Sequence, residues 1–134
     1  MAVTKPGYIL DTSAYSAFNR GDSRLRKWFT FEYQIHLPLI VVGELRAGFS
    51  IGTKKEENEQ FLTRFSGSPA VQIMPLTLAT TTAFTALFQD LRQAGIAVST
   101  NDLWIAALAR EHSLPILTLD NDFKRIPNID IISL

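Results

Sequence analysis

The sequence predicts an α/β fold, a three-layer sandwich in which a central, mostly parallel sheet is flanked by helices. Short apolar runs of strand length alternate with longer segments of helical periodicity along the whole chain. Residues that favour turns and helix caps separate these segments. With 134 residues, 46% of them hydrophobic, the chain can bury one core, so we expect a single domain over residues 1–134.

The first half of the chain alternates between the two kinds of segment. Gly7–Leu10 is a predicted buried strand, and the turn-favouring residues 11–13 after it predict the start of a helix. Asp22 can cap a second helix that continues through Phe31. The other predicted elements here are a strand at Gln34–Pro38 and helices at Leu39–Phe49 and Lys54–Phe65.

The second half continues the alternation. In Leu78–Gly95, apolar residues recur at i, i+3, i+4 and i+7, and Gly95 is suited to a C-cap, so a helix is predicted. Ser99–His112 is a further predicted helix. Strands are predicted at Ala70–Met74, Ile116–Leu119 and Ile129–Leu134. Parallel sheets of this kind bind ligands beyond the carboxyl ends of their strands.

Composition limits the chemistry and the location. The chain has no cysteine, which excludes disulfides, thiolate nucleophiles and zinc–thiolate sites. The only two histidines, His36 and His112, are too few for most histidine-based metal hydrolases. The first thirty residues hold no long apolar run, so we expect no signal peptide or membrane span and predict a cytoplasmic protein. The net charge of zero does not by itself indicate nucleic-acid binding.

Two acidic residues directly follow predicted strands. Asp11 comes after Gly7–Leu10 and Asp120 after Ile116–Leu119. Both should therefore lie at the sheet edge where the sites of α/β proteins form. A turn would explain either residue alone, but the two together favour a functional site.

Two more acidic residues lie in predicted helices. Asp102 falls in a first turn, where capping alone could explain it, but the apolar residues 103–108 predict a buried helix. Glu44 is flanked by apolar residues in a helix that we expect to be largely buried. A buried carboxylate needs a partner or a metal ion, because removing an isolated charge from water is costly.

Four such carboxylates form a ligand set that suits Mg²⁺. This ion binds a few carboxylates and keeps waters and substrate phosphate oxygens as further ligands. Without an ion the charges repel one another, so we expect the pKa of at least one carboxyl to be raised. If a cation takes up four of the 13 acids, 13 basic residues face nine acids, a balance of +4 that suits a polyanionic substrate.

The sequence also resembles a known family. Four segments resemble the motifs of the PIN domain in their order and approximate spacing: YILDTSAY, VVGELRAG, NDLWIAALA and LTLDNDF. The resemblance is to the subgroup that includes VapC-type toxins of type II toxin–antitoxin systems. The resemblance implies a PIN-like fold, a Mg²⁺- or Mn²⁺-dependent endoribonuclease, an RNA substrate, a cognate antitoxin and a homodimer. The catalytic and metal-binding acids that it implies are Asp11, Glu44, Asp102 and Asp120.

Secondary candidates accompany these acids. Ser13 and Thr118 match hydroxyl groups that the family places near the first and last acids, where they could orient a carboxylate or a metal-bound water. Asp122 is an additional acid that the family uses only sometimes. From the basic residues after the first strand, Arg20 is our candidate for RNA binding, and we interpret most of the others as a solvated helix face. We interpret Thr12 as a cap only.

Other classes fit less well. Haloacid-dehalogenase-type phosphatases need a second Asp two residues after the first, where this chain has Ser13. Response-regulator receivers need an adjacent acidic pair near the first strand, and none is convincing here. A structure-specific DNA nuclease usually carries additional domains. The main alternative is a catalytically inactive PIN-like module that binds RNA or protein, and the retained acids argue against it.

Overall fold

A computed structural model describes residues 5–134 and contains one five-stranded sheet with helices packed on it. The strands are β1 Gly7–Leu10, β2 Gln34–Pro38, β3 Val71–Met74, β4 Ile116–Leu117 and β5 Ile131–Ile132. The α-helices are α1 Thr12–Asn19, α2 Leu39–Ser50, α3 Lys55–Ser66, α4 Leu78–Ala94 and α5 Thr100–His112. Two 3₁₀ helices are η1 Ser23–Trp28 and η2 Asn121–Arg125.

β1 is the central strand, because the order in the sheet is β3-β2-β1-β4-β5. Every neighbouring pair is parallel. Tyr8, Ile9 and Leu10 are fully buried, as expected for a strand with neighbours on both sides and both faces covered. The predicted fold class is therefore confirmed, and the carboxyl ends of β1 and β4 are adjacent.

The last two strands are shorter than predicted. β4 ends at Leu117, and the backbone N–H groups of Leu119 and Asp120 donate to side chains instead of a neighbouring strand. The N–H of Leu119 donates to the Ser13 hydroxyl at 2.9 Å. The N–H of Asp120 donates to the Thr118 hydroxyl at 2.9 Å. β5 then has only the two residues of β4 to pair with.

The helix predicted after Asp22 is wrong in type and length. The segment is the 3₁₀ helix η1, and Leu25 is its one buried residue. The rings of Trp28 and Phe29 contact Tyr8 edge-on, with centroid distances of 6.2 and 6.5 Å. These contacts with the core, rather than a helical periodicity, determine the path of the chain here.

α2 is more exposed than predicted. We expected a largely buried helix around Glu44, but Val41 and Leu45 are the only buried residues of α2. Leu39 at its start and Ile51 just after its end are 54% and 90% exposed. An apolar helix with this much exposed surface is typical of an interaction surface.

α4 and α5 agree closely with the prediction. α4 ends at Ala94 and is capped by Gly95, whose φ of 71° is the left-handed conformation that glycine adopts readily. Phe84 of α4 stacks on Trp104 of α5 at a centroid distance of 3.9 Å. The middle of α5 is buried in the core, as its apolar sequence predicts. No helix within residues 5–134 is long and apolar enough to cross a membrane.

Candidate metal centre

Asp11 lies at the carboxyl end of the central strand and is 4% exposed. It is the N-cap of α1. Its Oδ2 accepts a 2.8 Å hydrogen bond from the Ser13 hydroxyl. The same oxygen accepts a 2.7 Å hydrogen bond from the Thr118 hydroxyl. The structure therefore brings both hydroxyl candidates into direct contact with the first acid.

The two hydroxyl groups hold Asp11 in one orientation. Each has a single proton, and both protons are used by Oδ2. The oxygens of these hydroxyl groups accept the backbone N–H groups of Leu119 and Asp120. No donor within residues 5–134 contacts Oδ1 of Asp11. One carboxylate oxygen is thus fixed in direction and has no hydrogen bond to a described residue.

Asp102 lies in the first turn of α5. The helix is capped by Ser99, whose hydroxyl accepts the N–H of Asp102 at 3.1 Å. The pKa of Asp102 is raised to about 6, first by burial and then by the negative charges of Asp11, Asp120 and Glu44. The hydrogen bond with the Ser99 side chain acts in the opposite direction. The predicted rise in a carboxyl pKa is confirmed, and the other three acids lie near enough to cause part of it.

Asp120 and Asp122 form a compact cluster with Asp102. One carboxylate oxygen of each lies within 4.8 Å of one from each of the others. Asp120 caps η2, and its Oδ1 accepts the N–H of Asp122 at 2.9 Å. Asp122 is exposed, and its Oδ1 lies 3.6 Å from Nη2 of Arg125. Asp122 therefore lies on the outer side of the cluster, where a cation partly offsets its charge.

Glu44 extends toward these acids from α2. Its Oε1 accepts a 3.2 Å hydrogen bond from the hydroxyl of Thr12. The interpretation of Thr12 as a cap is wrong, because Asp11 is the N-cap and the Thr12 side chain contacts Glu44 instead. The only sequence signal for this contact was a hydroxyl residue directly after the first acid.

The donor set suits a hard divalent cation. Every candidate ligand is a carboxylate oxygen, and neither histidine belongs to the cluster. The oxygens of Asp102, Asp120 and Asp122 converge, and Asp11, which lies outside this group, offers Oδ1, which has no hydrogen bond to a described residue. A cation among them would relieve the repulsion that raises the pKa of Asp102. These residues therefore fit Mg²⁺ or Mn²⁺, which prefer oxygen ligands.

The basic residues after the first strand differ in their distance from the acids. Arg20 is the C-cap of α1. It lies nine residues after Asp11, about 13 Å along the helix axis. Arg24, another of the basic residues after the first strand, lines a groove together with Asp120. The signal in the sequence was Asp22, which caps η1 and binds the Arg24 side chain.

Comparison with known families gives one match that covers most of the chain. The family model described as PIN domain matches residues 8–129. The chain is also similar to Ribonuclease VapC of Rickettsia bellii. The two are 32% identical over 131 residues, which are 95% of this chain and 96% of that protein.

Solved structures also include chains that are similar to this one. The chain is similar to a chain of VapBC2 from Rickettsia felis, bound to a DNA fragment from their promoter, with a TM-score of 0.81 and 29% identity. The likeness covers 94% of this chain and 97% of that one. This chain is also similar, in fold alone, to VapBC-5 of Mycobacterium tuberculosis, a member of the VapBC family of toxin-antitoxin systems. There the TM-score is 0.73 and the identity 24%, over 96% of this chain and 98% of the other.

Proposed function

The chain belongs to the PIN domain family, and we propose that it is a metal-dependent endoribonuclease that serves as the toxin of a toxin–antitoxin pair. Its relative in Rickettsia bellii is named a ribonuclease and is similar over nearly its whole length. The observation that carries the proposal is the convergence of Asp102 and Asp120 with Asp122, with Asp11 and Glu44 near enough to raise the pKa of Asp102.

In this proposal Asp11, Asp102 and Asp120 hold Mg²⁺ or Mn²⁺, with Glu44 beside them. When bound, the ion lowers the pKa of a coordinated water and stabilises negative charge on the phosphate. Asp11 contributes Oδ1, because Oδ2 is engaged by two hydroxyl groups. Asp102, with a pKa of about 6, is mostly ionised at neutral pH and can act as a ligand there.

The supporting residues fix these carboxylates. Ser13 and Thr118 orient Asp11, and the Thr118 oxygen also accepts the N–H of Asp120. Thr12 engages Oε1 of Glu44, which leaves Oε2 able to accept a hydrogen bond from a water or from the substrate. Such hydrogen-bonded partners of ligands typically change metal affinity or activity by about 10–100-fold when removed.

We further propose an antitoxin protein and a second copy of the chain as partners. The solved relative from Rickettsia felis is named VapBC2. The exposed side chains of Leu39 and Ile51 at the two ends of α2 offer apolar surface for such contacts. Sedimentation that shows only monomer at tens of micromolar would contradict the homodimer. Unchanged cleavage after co-purification with the candidate antitoxin would contradict its role.

Cleavage of total cellular RNA tests the function. The purified chain is incubated with Mg²⁺, with Mn²⁺ or with chelator, beside an Asp11→Asn variant. Cleavage that requires metal and is lost in the variant is the expected result, and the fragment ends then identify the target. A folded protein that cuts no RNA under any of these conditions would favour the inactive binding module instead.

A further inference from the structure

A groove of about 210 Å³ adjoins the carboxylate cluster. It shares Thr118 and Asp120 with the site and continues past the chain that follows β5. Two cations, Arg24 of η1 and Lys124 of η2, belong to its lining. The site and this groove therefore form one continuous surface, acidic at the cluster and basic beyond it.

The guanidinium of Arg24 is held in place at this groove. Its Nε and Nη2 donate to the two carboxylate oxygens of Asp22 at 3.1 and 2.7 Å. The backbone N–H of Arg24 also donates to Asp22, which caps η1. Nη1 has no partner within residues 5–134. A planar guanidinium bound along one edge can still offer its other donors to a phosphate.

Lys124 is fixed relative to the cluster by the short helix that carries it. η2 is capped by Asp120, so Lys124 lies about one turn from a cluster acid. The side chain is exposed and forms no ion pair within the described part of the chain. Its full charge is therefore available to a ligand in the groove.

The carboxylate cluster creates an electrostatic problem for RNA. Asp11, Glu44, Asp102 and Asp120 carry up to four negative charges, and one divalent cation offsets two of them. A polyanion approaching this site is repelled unless cations lie beside it. Of the cations whose place is described above, Arg24 and Lys124 line a groove that shares a cluster acid. Arg20 lies at the far end of α1, and Arg125 is paired with Asp122.

We propose that this groove binds the phosphodiester backbone of the RNA strand beside the cleaved bond, with Arg24 and Lys124 contacting its phosphates. The inference rests on the proposed ribonuclease function and adds the path of the substrate. The rest of the lining includes the apolar Leu119, Ile131 and Ile132. Apolar groups and phosphate contacts carry little base information, so the groove provides affinity with little sequence preference.

Fluorescence anisotropy with a labelled single-stranded RNA tests this inference. An Arg24→Ala/Lys124→Ala double variant is compared with wild type over a series of salt concentrations from about 50 mM upward. The series is measured once in chelator and once with Mg²⁺ in an Asp11→Asn background, so that no RNA is cut. The matched control is Lys55→Ala/Arg64→Ala. It removes the same two charge types from exposed positions of α3, which packs on β3 at the opposite edge of the sheet.

The double variant should bind RNA roughly tenfold more weakly than the control variant. The slope of log affinity against log salt should fall by about 1.4, or about 0.7 for each lost phosphate contact on a single strand. Lys124→Ala alone should cause the larger share, because Asp22 offsets the charge of Arg24.

The inference would be overturned if the Arg24→Ala/Lys124→Ala variant bound RNA within twofold of the control variant and with the same salt slope. It would also be overturned if the protein without these substitutions bound no RNA either in chelator or with Mg²⁺. The melting temperatures of both double variants should match that of wild type, since all four side chains are exposed. Failure of the groove and failure of the nuclease are distinguishable. A wild-type chain that cleaves RNA while the Arg24 and Lys124 substitutions change neither binding nor cleavage refutes the groove alone.

Discussion

The hydroxyl of Thr118 donates a 2.7 Å hydrogen bond to Oδ2 of Asp11, across 107 positions of the sequence. The contact forms because β1 and β4 are adjacent parallel strands, so the residues after them meet at one edge of the sheet. The same hydroxyl oxygen accepts the N–H of Asp120 at 2.9 Å. Thr118 therefore joins two of the proposed metal-binding acids through one atom.

Thr118→Val removes this hydroxyl and keeps the shape of the side chain. Asp11 then loses one of its two hydroxyl donors, and the N–H of Asp120 loses its acceptor. We expect ribonuclease activity to fall by about 10–100-fold and the free energy of unfolding to fall by about 1–3 kcal/mol. The control Thr63→Val removes an exposed hydroxyl that donates only to the Glu59 carbonyl, and it should change neither. Full activity in Thr118→Val would show that the hydroxyl does not position Asp11.

Asp102→Asn should stabilise the protein at pH 7 in chelator. The pKa of Asp102 is about 6 in the folded state against 3.8 for an unperturbed carboxyl. Between these two pH values the folded state binds more protons than the unfolded state. The free energy of unfolding therefore decreases as pH rises through this range, and the decrease is complete above pH 6. After allowance for solvent screening we expect a gain of about 1 kcal/mol, or roughly 4 °C in Tm.

The pH dependence of that gain is the sharper readout. The gain in stability should shrink as pH falls toward 4. At pH 7 with Mg²⁺ the wild type should instead be the more stable protein, because the ion stabilises only the protein that binds it. Asp90→Asn, which removes an exposed acid paired with Arg110, should show no such gain. An Asp102→Asn protein less stable than wild type in chelator at pH 7 would contradict the raised pKa of Asp102 in the folded state.

Thr80→Val should reduce stability without reducing activity. Thr80 is fully buried, donates to Oε1 of Glu111 at 2.7 Å and accepts the N–H of Thr77 at the start of α4. Loss of both hydrogen bonds should lower the free energy of unfolding by about 2 kcal/mol, measured by urea denaturation. The matched change Thr85→Val, at an exposed position of the same helix, should have little effect. A marked loss of activity at 25 °C in folded Thr80→Val would contradict a purely structural role.

Glu44→Gln should slow cleavage while leaving the metal requirement nearly unchanged. Neither Glu44 nor Asp11 belongs to the compact group of Asp102, Asp120 and Asp122, but Glu44 raises the pKa of Asp102 less than Asp11 does, and its Oε1 is held by Thr12. We expect the maximal rate to fall by roughly 10–100-fold and the Mg²⁺ concentration for half-maximal rate to shift by less than about twofold. Glu57→Gln on the exposed start of α3 is the control. A large shift in the Mg²⁺ requirement would instead make Glu44 a direct ligand.

Much of the fold could be predicted from the sequence because its local signals are strong. The periodicity of α4 and the glycine at position 95 fixed both the type and the end of that helix. The predictions failed where side chains replace backbone partners. β4 stops early because hydroxyl groups accept the N–H groups of Leu119 and Asp120, and no hydropathy pattern contains that information.

The contacts around the acids were harder to predict from the sequence than which acids belong to the candidate site. The positions of Asp11 and Asp120 after strands and of Asp102 in a buried helix were readable from the sequence, as was the rise in one pKa, whereas α2 around Glu44 is more exposed than predicted. The contact of Thr12 with Glu44 was not, because it depends on the packing of α2 against α1. The position of Arg24 at the groove depends on η1, which was predicted as an ordinary helix.

The most direct test measures the single-turnover rate of cleavage of one defined RNA against Mg²⁺ concentration, for wild type and for Asp120→Asn. We expect a saturable dependence on Mg²⁺ in wild type, no cleavage in chelator, and a rate at least about 100-fold lower in the variant at every Mg²⁺ concentration. A wild-type rate that does not depend on the ion, or an Asp120→Asn protein that cleaves as fast as wild type, would contradict cleavage by a carboxylate-bound cation.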